Sequence, residues 1–233
     1  MMKKCCAVVA AAGGSSRMGL DFSKQFFLIC GVPVIVRTLR AFENAGTVDA
    51  VIVVCRSSDK KRLEGYITEY GIKKVISIIE GGATRQESVT AGAAVVPEGY
   101  GYIAVHDGAR PLVTPEEIDC CVHDCFRTGA SALGVPIKNT IKRVDENGFV
   151  VSTPKRSEIM AIQTPQVFEY RIYMKALARA QEAGANYTDD CQLVEHIGVK
   201  VHICTGDYGN IKITTPDDIY LAEALLKRRE IPL

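Results

Sequence analysis

Arg17 and Lys24 follow the run Ala10-Ala11-Ala12-Gly13-Gly14-Ser15-Ser16, and together they describe an anion site. Glycines and small residues strip a turn of side chains, so its backbone N–H groups can approach a ligand. Two fixed cations beside such a turn suit a polyphosphate. A second turn repeats the chemistry: Glu80-Gly81-Gly82-Ala83-Thr84-Arg85-Gln86-Glu87-Ser88 carries a cation at Arg85 and a hydroxyl at Ser88. Asp107 and Lys212 add a carboxylate and a further cation. Asp107 suits Mg²⁺, which takes one or two carboxylates and fills its shell with phosphate oxygens and water. Attack of one phosphate on the α-phosphate of a nucleotide needs alignment and charge neutralisation more than a covalent nucleophile. Arg17 and Lys24 would stabilise the α-phosphate under attack, and Mg²⁺ would neutralise the leaving pyrophosphate. Plainer readings stand beside these. Gly13-Gly14 also fits an ordinary strand-to-helix turn, and Asp107 a turn-forming Asx before Gly108.

Two familiar phosphate fingerprints are excluded. Gly14 and Gly19 have P-loop separation, but Leu20 and Asp21 follow where Lys and a hydroxyl are needed. Gly13-Gly14 does not give the G-x-G-x-x-G spacing of a dinucleotide site. The composition narrows the class further. The chain has 233 residues, 47% of them hydrophobic, enough for one α/β domain with an appended arm. Its 28 basic and 27 acidic residues leave a net charge of +1, so a broad basic field for nucleic acid or a membrane surface is not expected. No apolar run approaches the length of a membrane span. The start Met1-Met2-Lys3-Lys4 resembles a signal peptide, but the apolar run after it doubles as a first strand, and a cytoplasmic location is expected. Nine scattered Cys fit a reducing compartment. Ile118, Cys121, Val122, Cys125 and Phe126 repeat as the buried stripe of a helix, which makes Cys121 and Cys125 core residues rather than metal ligands.

Strand and helix patterns alternate, so an α/β fold with a mostly parallel sheet covered on both faces is expected. Buried strands are read over 5–10, 51–55, 75–79 and 102–106, with a short one at 210–214; helices are marked by 35–42 and 63–70. Thr114-Pro115-Glu116-Glu117 is a helix start with cap, Pro and acid in order, and Thr215-Pro216-Asp217-Asp218 repeats it. In open α/β sheets ligands bind beyond the carboxyl ends of the strands, where the special residues lie. Asn147-Gly148 between β-rich runs predicts a hairpin, a 136–154 arm inserted in a single 1–233 domain. Such an arm is marginal alone, and a second copy of the chain is the economical partner.

Together these motifs, with Gln163-Thr164-Pro165-Gln166 and Tyr187-Thr188-Asp189-Asp190, resemble the 2-C-methyl-D-erythritol 4-phosphate cytidylyltransferase family nearly end to end. The resemblance implies a Rossmann-like nucleotidyltransferase fold (GT-A-like, a three-layer sandwich), use of Mg²⁺, and a homodimer joined by the β-arm. It implies the joining of CTP to a sugar-alcohol phosphate, methylerythritol phosphate, in the non-mevalonate isoprenoid pathway. Arg17 and Lys24 match the family's transition-state stabilisers. Ala11, Ala12, Gly13, Gly14, Gly82, Arg85 and Ser88 match its CTP-binding turns, with Asp107 on the metal side and Lys212 between nucleotide and acceptor. Arg156, Thr140, Arg110 and Thr188 match acceptor contacts, Thr140 from a partner's arm; taken alone Arg156 reads as a surface charge. Lys155, Met160 and Gly209 depart from the family's usual Asp, Trp and acid, and Asp207 is the candidate substitute for the last. A ribitol-5-phosphate cytidylyltransferase and a catalytically silent nucleotide-binding regulator are the alternatives.

Overall fold

Cys5–Ala10 forms strand β1 at the middle of the molecule, and its residues face two cores in alternation. Cys5, Ala7 and Val9 pack into one hydrophobic cluster, Cys6 and Val8 into the other. A strand covered on both faces has no use for a polar side chain, which is why the run reads as unbroken apolar sequence. The computed structural model describes residues 4–13 and 23–230, so Gly14 and Arg17 lie outside the described residues.

The other strands are β2 (Leu28–Ile29), β3 (Val32–Pro33), β4 (Val48–Cys55), β5 (Val75–Glu80), β6 (Tyr102–Asp107), β7 (Ala130–Pro136), β8 (Arg143–Val144), β9 (Val150–Ser152), β10 (Met160–Glu169) and β11 (His202–Thr205). The helices are α1 (Val34–Asn44), α2 (Lys60–Glu69), α3 (Arg85–Ala94), α4 (Pro115–Thr128), α5 (Tyr170–Glu182), α6 (Asp190–Glu195) and α7 (Asp217–Glu230). Seven strands form one sheet in the order β11-β7-β10-β6-β1-β4-β5. All its pairings are parallel except those of β10, which runs antiparallel to both β6 and β7. Ile35, Leu39 and Phe42 of α1 and Ile118, Cys121 and Cys125 of α4 cover one face. Val89 of α3, Tyr173 and Leu177 of α5 and Val194 of α6 cover the other. The expected three-layer α/β architecture is the one observed.

Helix α4 shows why local sequence could place it. Thr114 Oγ1 accepts from Glu117 N–H (3.2 Å) while Glu117 Oε2 accepts from Thr114 N–H (2.9 Å), the reciprocal capping box. Gly129, at φ 81°, ends the helix in the left-handed conformation. Cys121 and Cys125 are fully buried, as small core residues.

The pairing of β10 with β7 passes from Ile162 to Gln166 and skips Gln163, Thr164 and Pro165. Pro165 has no N–H to give to a ladder. The three residues therefore bulge out of the sheet, and the side chains of Gln163 and Thr164 turn to other work at the carboxyl end of β6. One expectation differs: 210–214 is not a strand. After β11 the chain leaves the sheet edge and makes a single backbone bond to the loop beyond β6, Ile213 N–H to Ala109 O (2.8 Å).

The hairpin is present, with β8 and β9 antiparallel. Its loop is tied by Asp145, whose Oδ1 accepts from Asn147 N–H (3.0 Å) and Phe149 N–H (2.9 Å). Gly148, at φ 84°, supplies the positive φ that closes the turn. Val144, Phe149, Val150 and Val151 are all more than half exposed. Four apolar side chains on a two-stranded ribbon make a surface that soluble monomers seldom leave open.

Candidate functional site

The carboxyl ends of β1, β5 and β6 border a cleft of about 460 Å³, lined by Ala12, Gly13, Lys24, Gly82, Arg85, Ser88, Asp107 and Lys212, with Thr84 and Thr214 beside them. Parallel strand order brings this about. β1 lies between β4 and β6, so the loop after β1 emerges beside those after its neighbours.

The two Gly turns touch. A Cβ on Gly81 would stand 2.5 Å from Ala12 Cβ and 2.7 Å from Ser88 Oγ, so only Gly lets the turns close on each other. Gly13 needs no such explanation in φ. It lies outside the left-handed region, and a Cβ there meets no described atom within 4 Å. Ala11 is buried and gives its N–H to Val54 O (2.7 Å), so its amide serves the sheet. The second turn is held by its own side chains: Gly82 N–H donates to Ser88 Oγ (3.1 Å), and Ala83 N–H to Glu87 Oε2 (2.8 Å). Ser88 in turn donates to Thr84 O (2.9 Å). The turn is preformed before any ligand arrives.

Asp107 is the hub. Its Oδ1 pairs with Arg85 Nε (3.1 Å), and its Oδ2 with Lys212 Nζ (2.7 Å). Arg110 Nε approaches Oδ2 at 3.6 Å, an ion pair too long to be a hydrogen bond. Burial by itself would raise the Asp107 pKa; the Arg85 guanidinium, then Lys212 and Arg110, outweigh it and hold the carboxyl well below the usual range. Arg85 also reaches Asp190 Oδ2 with Nη1 (2.8 Å). Burial pulls against its charge, but Asp190 and Asp107 keep it firmly protonated. Asp190 is itself fixed by Tyr173 Oη (2.6 Å) and by Gln166 Oε1, which accepts the N–H of Asp190 and of Cys191.

A hydrogen-bond chain supports Asp107 from behind. Its N–H donates to Thr164 Oγ1 (3.1 Å); that hydroxyl donates to His106 Nδ1 (3.0 Å), leaving Nε2–H for Arg110 O (3.4 Å). This tautomer is the one the network requires. Burial outweighs the pull of Asp107 and lowers the His106 pKa from 6.5 to about 3. The folded pKa is the depressed one, so the contribution is whole above the unfolded value and is lost as pH falls below it. The unfolded chain binds a proton that the native chain refuses, at about 1.4 kcal/mol per pH unit. Between pH 7 and 5, urea unfolding of the wild type should therefore lose about 2 kcal/mol more than unfolding of His106→Asn. Parallel slopes for the two proteins would remove His106 from this role.

The remaining expected residues take different places. Arg110 has a nearly buried side chain and gives Nη1 to Asn210 O (2.8 Å), bracing the 205–214 segment that delivers Lys212. Thr188 is exposed and bonded to Gln192 Oε1 (3.0 Å). Thr140 and Arg156 are exposed on and beside the arm; Arg156 reaches Lys138 O (3.3 Å) and lines no part of the cleft. The Asp207 carboxylate turns to Gly209 N–H (2.6 Å) and Arg229 (4.0 Å), away from Asp107. Sequence reasoning missed Arg56, at the end of β4. Its guanidinium lies 3.4 Å from the carbonyls of both Ala12 and Gly13 and steadies the first turn. It also assigned no role to His106, Thr164, Asp190 or Asn210.

The residues present fit a divalent cation that arrives with phosphates. Asp107 offers an ionised carboxylate at the cleft wall, and Lys212, more than a third exposed on a flexible stem, can leave Oδ2 for a phosphate. Among the described residues no group of three or more His, Cys, Asp or Glu could cage a metal.

Comparison with known proteins finds relatives along nearly the whole chain. The family model for 2-C-methyl-D-erythritol 4-phosphate cytidylyltransferase matches residues 5–228. A protein of that name from Desulforamulus reducens is 40% identical over 215 residues, covering 92% of each chain. One from Pelotomaculum thermopropionicum is 42% identical over 216 residues, 92% of this chain and 91% of its own. The solved structure of 4-diphosphocytidyl-2C-methyl-D-erythritol synthase from Anaerococcus prevotii superposes with a TM-score of 0.88 at 27% identity, covering 96% of both chains. The chain belongs to the 2-C-methyl-D-erythritol 4-phosphate cytidylyltransferase family.

Proposed function

We propose that the Asp107 cleft transfers the cytidylyl group of CTP to the phosphate of 2-C-methyl-D-erythritol 4-phosphate and releases pyrophosphate. The observation that carries this is the convergence of Lys24, Arg85 and Lys212 with Asp107 beside the preformed 82–88 turn and the end of β1. In the reaction an oxygen of the acceptor phosphate forms a bond to the α-phosphorus. The bond from that phosphorus to the bridging oxygen of the pyrophosphate breaks, in line. Lys24, with Arg17, stabilises the charge on the α-phosphate in the transition state; one such donor is worth about 3–4 kcal/mol. Ala12, Gly13, Gly82 and Ser88 wall the nucleotide pocket, and Lys212 moves from Asp107 to a phosphate oxygen. Mg²⁺, held by Asp107, supplies neutralisation of the triphosphate charge when bound.

We assign the acceptor contacts of Thr140 and Arg156 to the cleft of a second copy, because Thr140 lies on the exposed arm and Arg156, also exposed, directly beside it. Arg110 supports the acceptor side through the 205–214 segment. Nine scattered cysteines without the spacing of a disulfide framework favour a reducing compartment, the cytoplasm. The test is pyrophosphate release from CTP and Mg²⁺ with methylerythritol phosphate or ribitol 5-phosphate as acceptor. Release with the first alone is expected. Higher kcat/KM with the second would overturn the acceptor assignment, and CTP binding without release from either would favour the silent regulator.

A further inference from the structure

Three side chains on one face of α4 stitch the helix to the edge strand β11 and the turn that follows it. Glu117 Oε1 accepts from Asp207 N–H (2.9 Å), Cys120 Sγ lies 2.9 Å from Cys204 Sγ, and Asp124 Oδ2 meets His202 Nδ1 (2.5 Å). Positions 117, 120 and 124 share one helix face, and their partners run in reverse order along the strand. The two outer contacts hold the sulfurs of the middle one together. Cys120 is exposed and Cys204 buried, at the wall of a groove of about 560 Å³ on the protein surface. Their sulfurs stand only about 0.9 Å beyond disulfide bond length.

We propose that Cys120 and Cys204 form a reversible disulfide that staples β11 to α4 when the protein meets a small-molecule disulfide. The Cys120 thiolate attacks one sulfur of that oxidant, whose S–S bond breaks, and the first thiol leaves with the proton Cys120 gave up. Cys204 then loses its proton and attacks Cys120 Sγ, and the second thiol departs with that proton. Two cysteines are oxidised by two electrons, and one disulfide is reduced to two thiols. Burial and the neighbouring Cys120 push the Cys204 thiol up to about 12. Capping of Cys120 removes its share of that rise while the larger share from burial stays, and the 2.9 Å approach of the two sulfurs makes the second step intramolecular. The staple bridges residues 84 apart in the chain, which strongly restricts the unfolded state, and it closes the edge strand from which the chain runs on to Lys212.

The test incubates the wild-type protein with glutathione disulfide, alkylates remaining thiols after denaturation, and maps peptides without reductant. A Cys120–Cys204 cross-link is expected, together with a rise in Tm of about 5–15 °C that dithiothreitol reverses. Cys204→Ser should instead retain one glutathione on Cys120 and show no rise. Cys30, the other exposed thiol, is an internal reference for capping without closure. Glutathione left on wild-type Cys120 with Cys204 alkylated, or a cross-link with unchanged Tm, would overturn the proposal.

Discussion

Asp107→Asn should lower kcat by about 10²–10³-fold while leaving CTP binding in place. The wild-type cluster sets Arg85, Lys212 and Arg110 against Asp107 and Asp190, so the local charge is +1 by three cations less two carboxylates. Asn keeps the shape and the backbone bond to Thr164 but raises that balance to +2. A polyphosphate is attracted at least as well by the more positive cleft. What is lost is the anion that fixes the three cations in place and that would hold Mg²⁺. Binding and turnover should therefore separate, with calorimetry reporting a CTP Kd within a few-fold and pyrophosphate release falling steeply. The substitution also costs stability, because the nearly buried Arg110 and the half-buried Arg85 are left with one partner fewer; loss of one member of a fully buried pair is worth about 3–5 kcal/mol, and solvent at Arg85 brings the cost below that. That cost is felt in full at neutral pH. Asp107 is held ionised below the ordinary carboxylate range, so its contribution is complete above about pH 4 and disappears only as pH falls through the depressed value. At pH 7 the variant and wild type can be compared as folded proteins by circular dichroism. A variant with kcat within threefold of wild type would take Asp107 out of the mechanism.

The residues that were legible from sequence share a property: their signal is local. β1 shows itself by an apolar run that only a doubly covered strand tolerates, and α4 by a capping box that the structure reproduces atom for atom. The two Gly turns and Asp107 were legible because they follow such strands. The supports were not. Thr164 reaches Asp107 because β10 runs antiparallel beside β6 and skips three residues of its ladder with β7. Neither pairing nor register leaves a mark in composition. Arg56 follows a strand like many surface arginines, and its contact with Ala12 and Gly13 depends on β4 lying next to β1. Asp190 hid behind Asp189, whose Oδ1 accepts from Gln192 N–H (2.9 Å) as the cap of α6. Two acids at a helix start satisfy the helix dipole, and nothing local separates the one that caps from the one that holds Arg85. The segment 210–214 was read as a strand from its alternation of Ile and polar residues. Ile213 is fully buried, but against α7 and the β6 loop rather than in a sheet.

Lys24→Ala and Arg156→Ala should each lose about 10²–10³-fold in kcat/KM as single proteins, and co-expression of the two should restore activity. The argument starts from distance in the fold. Lys24 lines the cleft, whereas Arg156 sits beside an arm whose apolar residues Phe149, Val150 and Val151 face solvent. Covering those residues with a second copy would bury apolar area and would carry Arg156 and Thr140 toward the other copy's cleft. A closed two-fold pair then has two sites, each with Lys24 from one chain and Arg156 from its partner. In a mixed pair one site combines both defects and is silent; the other combines both native residues. Random assembly makes half the pairs mixed, so the co-expressed material should reach about a quarter of wild-type activity. A site built within one chain cannot behave this way, since every chain present carries a defect. Pairs purified through two different affinity tags remove the homodimeric background and should reach about half. Persistence of the single-variant rate in those doubly tagged pairs would place Arg156 outside the partner's site and leave the exposed arm with another purpose.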